Sequence, residues 1–473
     1  MANPLKKLLG QTAIYGLSSM LARLLNFLLV PIYTRVFAPD AYGVVTELYA
    51  YAAFIAVFLT FGFETAYFRF AKENESKVFA STTGTVWLAS LGFFLVVWLG
   101  AGHWVSYLGK GHEEEYLSIF AAILAFDAMA AIPLARMRYQ QKAMKFAALR
   151  FSTILLNIVL NLYWLKWAPG SENLGPEGIR FIFYANLIAS GLLWLFTLPP
   201  IKLFSELDKG VWTRLVKYSW PLWLGGFAGV INETLDRALL ANLLPEETAS
   251  YEVGVYGACY KLAVFMTLFV QAFRMGIEPF YFQNKGESND RKNLGDVAGY
   301  FFLVGCFIFL VITGFMDWFK HFIGEEYHGG LGVVPILLAA NLFLGLYINL
   351  SAWYKLSDQT RFGAFFSLVG ALITLAVNFW GISRFGYWAS AWATLFAYFT
   401  MCLLSFFIGQ ARYNIPYPKK KMGIYALTTM GLYFAAQNLP ISGILSGFLG
   451  ILVFAIVVMQ IEKDKLRFLQ RKS

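Results

Sequence analysis

The chain has 473 residues, 58% of them hydrophobic and only 14% charged, with a mean hydropathy of +0.58. A soluble protein of this length exposes far more charge, and the alternating segments of about 10 residues that mark a membrane β-barrel are absent. The formal charge of +10 lies in loops between apolar runs and forms no basic domain, so it speaks for membrane orientation and against a nucleic-acid partner.

Apolar runs near the ~20 residues needed to cross a hydrocarbon core recur from end to end. They predict helices at 11–31, 43–68, 80–101, 115–135, 147–166, 179–199, 215–241, 253–278, 296–316, 331–351, 362–381, 387–409, 422–438 and 442–461, about fourteen in all. The first run follows Lys6 and Lys7, lacks a small-residue cleavage site and is interrupted by Arg23, so it reads as an uncleaved helix. With the N-terminus in the cytoplasm, about 29 of the 38 basic residues fall in one set of loops. About 6 fall on the other side (Arg35, Lys110, Lys166, Arg180, Lys320, Arg384), and Arg23, Arg237 and Lys261 lie inside helices. This asymmetry predicts two cytoplasmic termini and an even helix count. No external loop exceeds roughly 15–20 residues, which leaves no room there for an extramembrane domain.

The chain also resembles itself. "LVPIYTRVFAPDAYGVVTELYAYA" and "RALLANLLPEETASYEVGVYGACYKLA" share a helix end, a short loop, an aromatic–Gly pair and a new helix; "ILLNIVLNLYWL" is matched by "TLAVNFWGISRF". The offset is about six helices, which preserves orientation. The expected architecture is an all-α polytopic membrane protein with two six-helix lobes in a parallel pseudo-twofold repeat, 1–200 and 201–410, followed by two helices and a basic tail, 411–473. Parallel lobes facing one another are a transporter arrangement, with substrate held between them.

Polar residues at membrane depth are the candidate site. Gln11, Tyr15, Ser18, Ser19, Arg23 and Asn26 recur at helical spacing on the first helix, and such a stripe faces the bundle interior or a wet cavity. Glu64, Asp127 and Lys261 sit on other helices. "NETLDR" brings Glu233, Asp236 and Arg237 together, with Glu233 and Arg237 four residues apart and able to pair. Each has a plain structural alternative: Glu233–Arg237 as an ion pair, Asp127 as a counter-ion, Lys261 snorkelling to the interface. Arg23 is too deep to snorkel and has no acidic neighbour three or four residues away. A cavity lined by Arg23, Asn26, Glu64, Asp127, Arg237 and Lys261 would suit an anionic substrate, and the planar guanidinium suits phosphate. Cys259, Cys306 and Cys402 lack CxxC spacing, and no histidine pair has zincin spacing, so no metal or other cofactor is expected.

The opening "ARLLNFLLVPIYTRVFAPDAYG", the stretch "FIGEEYHGGLGVVPILLAANLFLGLYINLSAWYKLSDQTRFGAF" and "NFWGISRFGYWASAWATLFAY" resemble the polysaccharide transporter branch of the MATE/MOP superfamily, the Wzx-type oligosaccharide-lipid flippases. The resemblance covers nearly the whole chain. It implies two six-helix bundles rocking around a cavity, and a substrate with a polyprenyl tail, a pyrophosphate and a glycan head. Related lipid II flippases carry two cavity arginines on helix one; Arg23 matches the first and Leu29 stands at the second, which argues against lipid II as substrate. Some relatives bind sodium, and Asp236, Asn378 and Thr394 resemble three of the ligands, with Ile382 where a carboxylate would be expected. Proton coupling through Glu64, Asp127, Glu233 or Asp236 is equally open.

The expected function is a non-enzymatic flippase in the bacterial inner membrane. It would move a polyprenyl-pyrophosphate-linked oligosaccharide to the outer leaflet, with membrane lipids and a polysaccharide polymerase or other assembly proteins as partners. The alternative is a cation-coupled multidrug or small-solute exporter on the same fold, which the embedded acids would favour. A membrane glycosyltransferase or polymerase is a third class. The short external loops speak against it, and "HEEEYL" reads as a solvated helix start.

Overall fold

The computed structural model describes residues 24, 27–108, 112–200, 206–283, 290–357, 359–438 and 443–463. Helices dominate, and no strand occurs among the described residues. Without water, each backbone N–H and C=O must be satisfied within the protein, and a helix does so within its own segment.

After α1 (Val30–Val36), helix α2 (Pro39–Thr60) starts on a proline, whose missing N–H is harmless in a first turn. The expected continuous helix over 43–68 is broken. Phe61 (φ 51) and Gly62 (φ 67) are both left-handed, and α3 (Phe63–Phe70) resumes beyond them. A phenylalanine there is strained. Its ring stacks on Trp223 at 6.0 Å and packs against Phe58 and Phe63, which fixes the turn. Next come α4 (Glu75–Leu99), capped by the Asn74 side chain, α5 (Ala101–Leu108), α6 (Glu114–Tyr139), α7 (Ala143–Leu162) and α8 (Arg180–Thr197). Then follow α9 (Lys209–Leu243), α10 (Glu246–Leu262), α11 (Val264–Gln283) and α12 (Asp290–Gly314). The chain closes with α13 (Val334–Leu350), α14 (Ala352–Leu356), α15 (Arg361–Phe385), α16 (Tyr387–Arg412), α17 (Lys419–Asn438) and α18 (Gly443–Ile461). At α9 the Asp208 carboxylate accepts the Val211 N–H at 3.0 Å and the Lys77 ammonium at 3.0 Å. Both hold its pKa below the ordinary carboxylate range, the backbone bond foremost.

Ten spans among the described residues are long and apolar enough to cross a bilayer, and α10 with the first part of α11, bent by 51°, makes an eleventh. The expected number was about fourteen. The first expected helix falls almost wholly outside the described residues. The other two, α9 and α17, are helical where expected but more polar: α9 carries Lys209, Arg214, Lys217, Glu233, Asp236 and Arg237, and α17 opens on three lysines. The protein is a multi-pass membrane protein.

By contact the chain forms two compact units, 1–257 with 382–387, and 258–381 with 388–473. In the first, α6 packs on α4 and α8, α7 on α8, and α9 on α2 and α3. That last packing groups α9 with the helices before it, so the compact boundary falls later than the lobe boundary at 200/201 expected from the repeat; contact and repeat divide the chain by different criteria. The turn at 382–387 joins this unit because Glu252 accepts the Tyr387 N–H at 3.0 Å beside Gly386 (φ 54). In the second unit, α12 packs on α13, α17 and α18, and α11 on α13.

The first unit depends on a backbone crossing of α2 and α10. A Cβ on Gly43 would lie 1.8 Å from the Ser250 carbonyl oxygen, one on Gly254 2.0 Å from that of Pro39, and one on Gly257 2.6 Å from the Thr46 side chain. Gly43 and Gly257 are the glycines of the two repeated aromatic–Gly pairs. Gly254→Val should therefore lower stability in detergent by about 3 kcal/mol or more, whereas Gly229→Ala, with open space around it, should not; thermal unfolding followed by size-exclusion chromatography measures both.

Candidate membrane-embedded polar site

Helix α7 places Arg150, Asn157 and Asn161 at spacings of seven and four, hence on one face. Over about 16 Å of helix this face meets polar groups from neighbouring helices. Asn161, fully buried, donates to the Asn157 carbonyl at 2.8 Å and accepts from the Tyr33 hydroxyl at 2.9 Å. Asn157 donates to Asn186 of α8 at 2.5 Å. One turn further along α8, Ser190 donates to Asp127 of α6, whose carboxylate is in turn drawn to Arg150. Arg150 also feels Arg138 and Glu64, and Arg138 forms an ion pair with Glu64. The Arg138 guanidinium lies over the rings of Phe68 and Phe146. Asp127 is exposed while Ala128, Met129 and Ala130 are buried, so its carboxylate sits at the edge of the packed helices. The result is a polar seam with amide donors and acceptors at one end and charges of both signs at the other.

The structure thus joins two expected residues, Glu64 and Asp127, through Arg138 and Arg150, which the sequence alone reads as loop cations. Arg150 lies one and a half to two turns inside α7. Its signal was its register with Asn157 and Asn161, three polar residues on one face of an apolar run.

The four-residue spacing would let Arg237 pair with Glu233. Its guanidinium instead lies 3.7 Å from the Asp236 carboxylate and donates to the main-chain carbonyl of Glu233 at 3.1 Å. The reason lies across the helix interface: the Tyr256 hydroxyl donates to Asp236 at 2.6 Å, anchoring that carboxylate in a buried position, and the Arg237 guanidinium lies 5.8 Å from the Tyr256 ring. Glu233 itself is exposed.

In the second unit, Asn378 is fully buried, donates to the Thr374 carbonyl at 2.7 Å and accepts from Ser390 at 2.7 Å; Thr394 donates to the Ser390 carbonyl at 3.0 Å. Asn378 and Asn161 each stand in one of the two repeated stretches. Each bonds a carbonyl one turn back and each receives a hydroxyl from another helix. Lys261 is exposed at the end of α10, beside the bend into α11. Arg23 and Asn26 lie outside the described residues. No group of three or more His, Cys, Asp or Glu side chains able to hold a metal occurs among the described residues.

Residues 8–277 match the family model described as polysaccharide biosynthesis protein, and residues 252–453 match a second model of the same description. The chain belongs to the polysaccharide biosynthesis protein family. Two Haemophilus influenzae proteins are similar. The Lsg locus putative protein 1 is 21% identical over 59% of this chain and 66% of its own length, just under two thirds. An uncharacterized membrane protein is 21% identical over 78% of this chain and 89% of its own. Among solved structures, the lipid II flippase MurJ in an inward closed conformation is similar over 96% of this chain and 100% of its own, with a TM-score of 0.70 at 14% identity. An inward-facing multidrug resistance MATE family transporter covers 86% and 96%, with a TM-score of 0.66 at 10% identity. A MOP superfamily transporter from Pyrococcus furiosus covers 85% and 95%, with a TM-score of 0.53 at 12% identity. The fold of this polysaccharide family member is that of the MOP superfamily, as the resemblance implied.

Two expectations follow from the seam. Arg150→Gln should lower the melting temperature, because it leaves the Asp127 carboxylate at membrane depth without its cation, and adding Asp127→Asn should restore it. Double-mutant cycles for Tyr33→Phe with Asn161→Ala, and for Ser390→Ala with Asn378→Ala, should each return a coupling of about 0.5–1.5 kcal/mol in thermal or denaturant unfolding.

Proposed function

We propose that this protein is a flippase that carries a polyprenyl-pyrophosphate-linked oligosaccharide from the cytoplasmic to the outer leaflet during envelope polysaccharide assembly. One observation carries the reading: a polysaccharide biosynthesis family match over residues 8–277, on a chain whose fold is that of MurJ and MATE transporters along most of its length. Multidrug transporters share the fold, so the fold does not separate the two classes; the family match favours the glycan. Side-chain chemistry agrees. Amides and hydroxyls such as Asn157, Asn186 and Ser190 both donate and accept, as sugar hydroxyls require.

In this reading the prenyl tail stays in lipid and the pyrophosphate meets cations at membrane depth. Arg138 and Arg150 are balanced by Glu64 and Asp127, and Arg237 by Asp236. Arg23 is assigned the pyrophosphate, with Arg237 or Lys261 as its partner and Asn26 beside it. Glu233, Asp236, Asn378 and Thr394 keep their proposed part in ion coupling. Only unequal binding to inward- and outward-open states, or an ion gradient, can bias direction. A polysaccharide polymerase on the outer side would consume the product.

Cells depleted of the protein should accumulate a completed lipid-linked glycan unreachable from outside, identified by mass spectrometry of extracted lipid; an unchanged pool would rule the reading out and favour a solute exporter. In complementation, Arg23→Ala should abolish function at normal abundance and Arg23→Lys should retain part of it. Wild-type activity of Arg23→Ala would refute the pyrophosphate assignment.

A further inference from the structure

Outside the polar seam, the first unit holds a second cluster that the proposed function does not use. Glu47 lies midway along α2 and is buried. His112, in the segment before α6, lies 3.5 Å from it, nitrogen Nε2 to oxygen Oε2, with side-chain exposures of 1% and 5% for His112 and Glu47. The Tyr51 hydroxyl donates to Glu47 at 3.2 Å, and Asn242 of α9 donates to the Tyr51 oxygen at 2.6 Å. His112 thus reaches the carboxylate directly, and Asn242 reaches it through Tyr51.

His112 also lines a pocket of about 530 Å³ walled by α2, α6, α10 and the 176–179 turn. Its rim carries Asp40, Glu113, Glu177, Glu246 and Glu247. Among the described residues, the other ionisable groups nearby include Tyr107, facing Tyr51 from α5, Tyr116, bonded to Glu113, and Arg180, paired with Glu177. The charge rule assigns these loops to the outer side of the membrane. An acidic vestibule in front of a buried imidazole raises the local concentration of cations, protons included.

We infer that Glu47 and His112 form a proton-loading site, filled through the acidic vestibule, whose occupancy couples a proton gradient to the transport cycle. The inference rests on the transport reading above. With one proton between them the pair is electrically neutral and tolerates burial. Without it, an uncompensated carboxylate stays out of water, which is strongly unfavourable. The proton thus binds tightly to the packed arrangement of His112 on α2 and weakly to any arrangement that admits water, and that difference is the coupling. Tyr51 and Asn242 pass the change to α9, the helix that also carries Asp236 and Arg237.

Two measurements test this. The first needs no substrate: infrared difference spectra of the purified protein between acid and alkaline pH. Bands that change in both Glu47→Gln and His112→Gln are expected, because the two groups titrate as one pair; bands altered in neither or in only one variant overturn the site. Both variants must elute as monodisperse protein, with Tyr51→Phe as a milder third. The second uses proteoliposomes and the lipid-linked glycan fraction extracted from depleted cells. An acid pH on the vestibule face should accelerate wild-type translocation on the order of tenfold, and the ratio with and without the gradient should fall to about one in Glu47→Gln. An unchanged ratio in Glu47→Gln overturns the coupling even if the infrared result holds. If the wild type moves no glycan under any gradient, the flippase reading fails, and with it the coupling, while the infrared spectra still decide the proton site.

Discussion

A polar group inside a bilayer has no water to fall back on, and the whole arrangement follows from that. Asn161 and Asn378 each reach back one turn to a carbonyl and out to a hydroxyl on another helix. Asp236 is held by a tyrosine, and Arg138 by Glu64. The hydrophobic effect gives little drive for helices to associate in lipid, so these bonds, together with close packing of small residues, decide which helix lies against which. The two asparagines show the same solution used twice, once in each compact unit.

Much of the fold could be read in the sequence because its causes are local or compositional. Apolar runs, loop charges and the aromatic–Gly repeat each leave a mark that a single segment carries. The break at Phe61–Gly62 left little mark: the glycine is a weak hint, and the stacking on Trp223 that fixes the strained phenylalanine comes from more than 150 residues away. The more polar helices α9 and α17 were placed correctly because length and flanking loops located them.

The site was less legible, for the same reason. Spacing rules describe one helix, whereas charges at membrane depth find partners on others. The four-residue spacing of Glu233 and Arg237 suggested a pair, yet Tyr256 on α10 fixes the neighbouring Asp236 and draws the arginine there. Arg150 reads as a loop residue because basic residues near a helix end usually are. Glu47 and His112 are separated by more than sixty residues, and no spacing rule for a single helix joins them. The register of Arg150 with Asn157 and Asn161 was the one signal that could have been read in advance.

The crossing of α2 and α10 is made largely of main chain, with glycines seated on the carbonyl oxygens of Ser250 and Pro39. Interlocked long side chains must give up rotamers each time a joint closes and regain them each time it parts, an entropy term that varies with every side chain involved. A joint of bare backbone avoids most of that. Its register is set by contact distance alone, with no long side chain to be threaded into place, much as a ground-glass seal seats surface on surface.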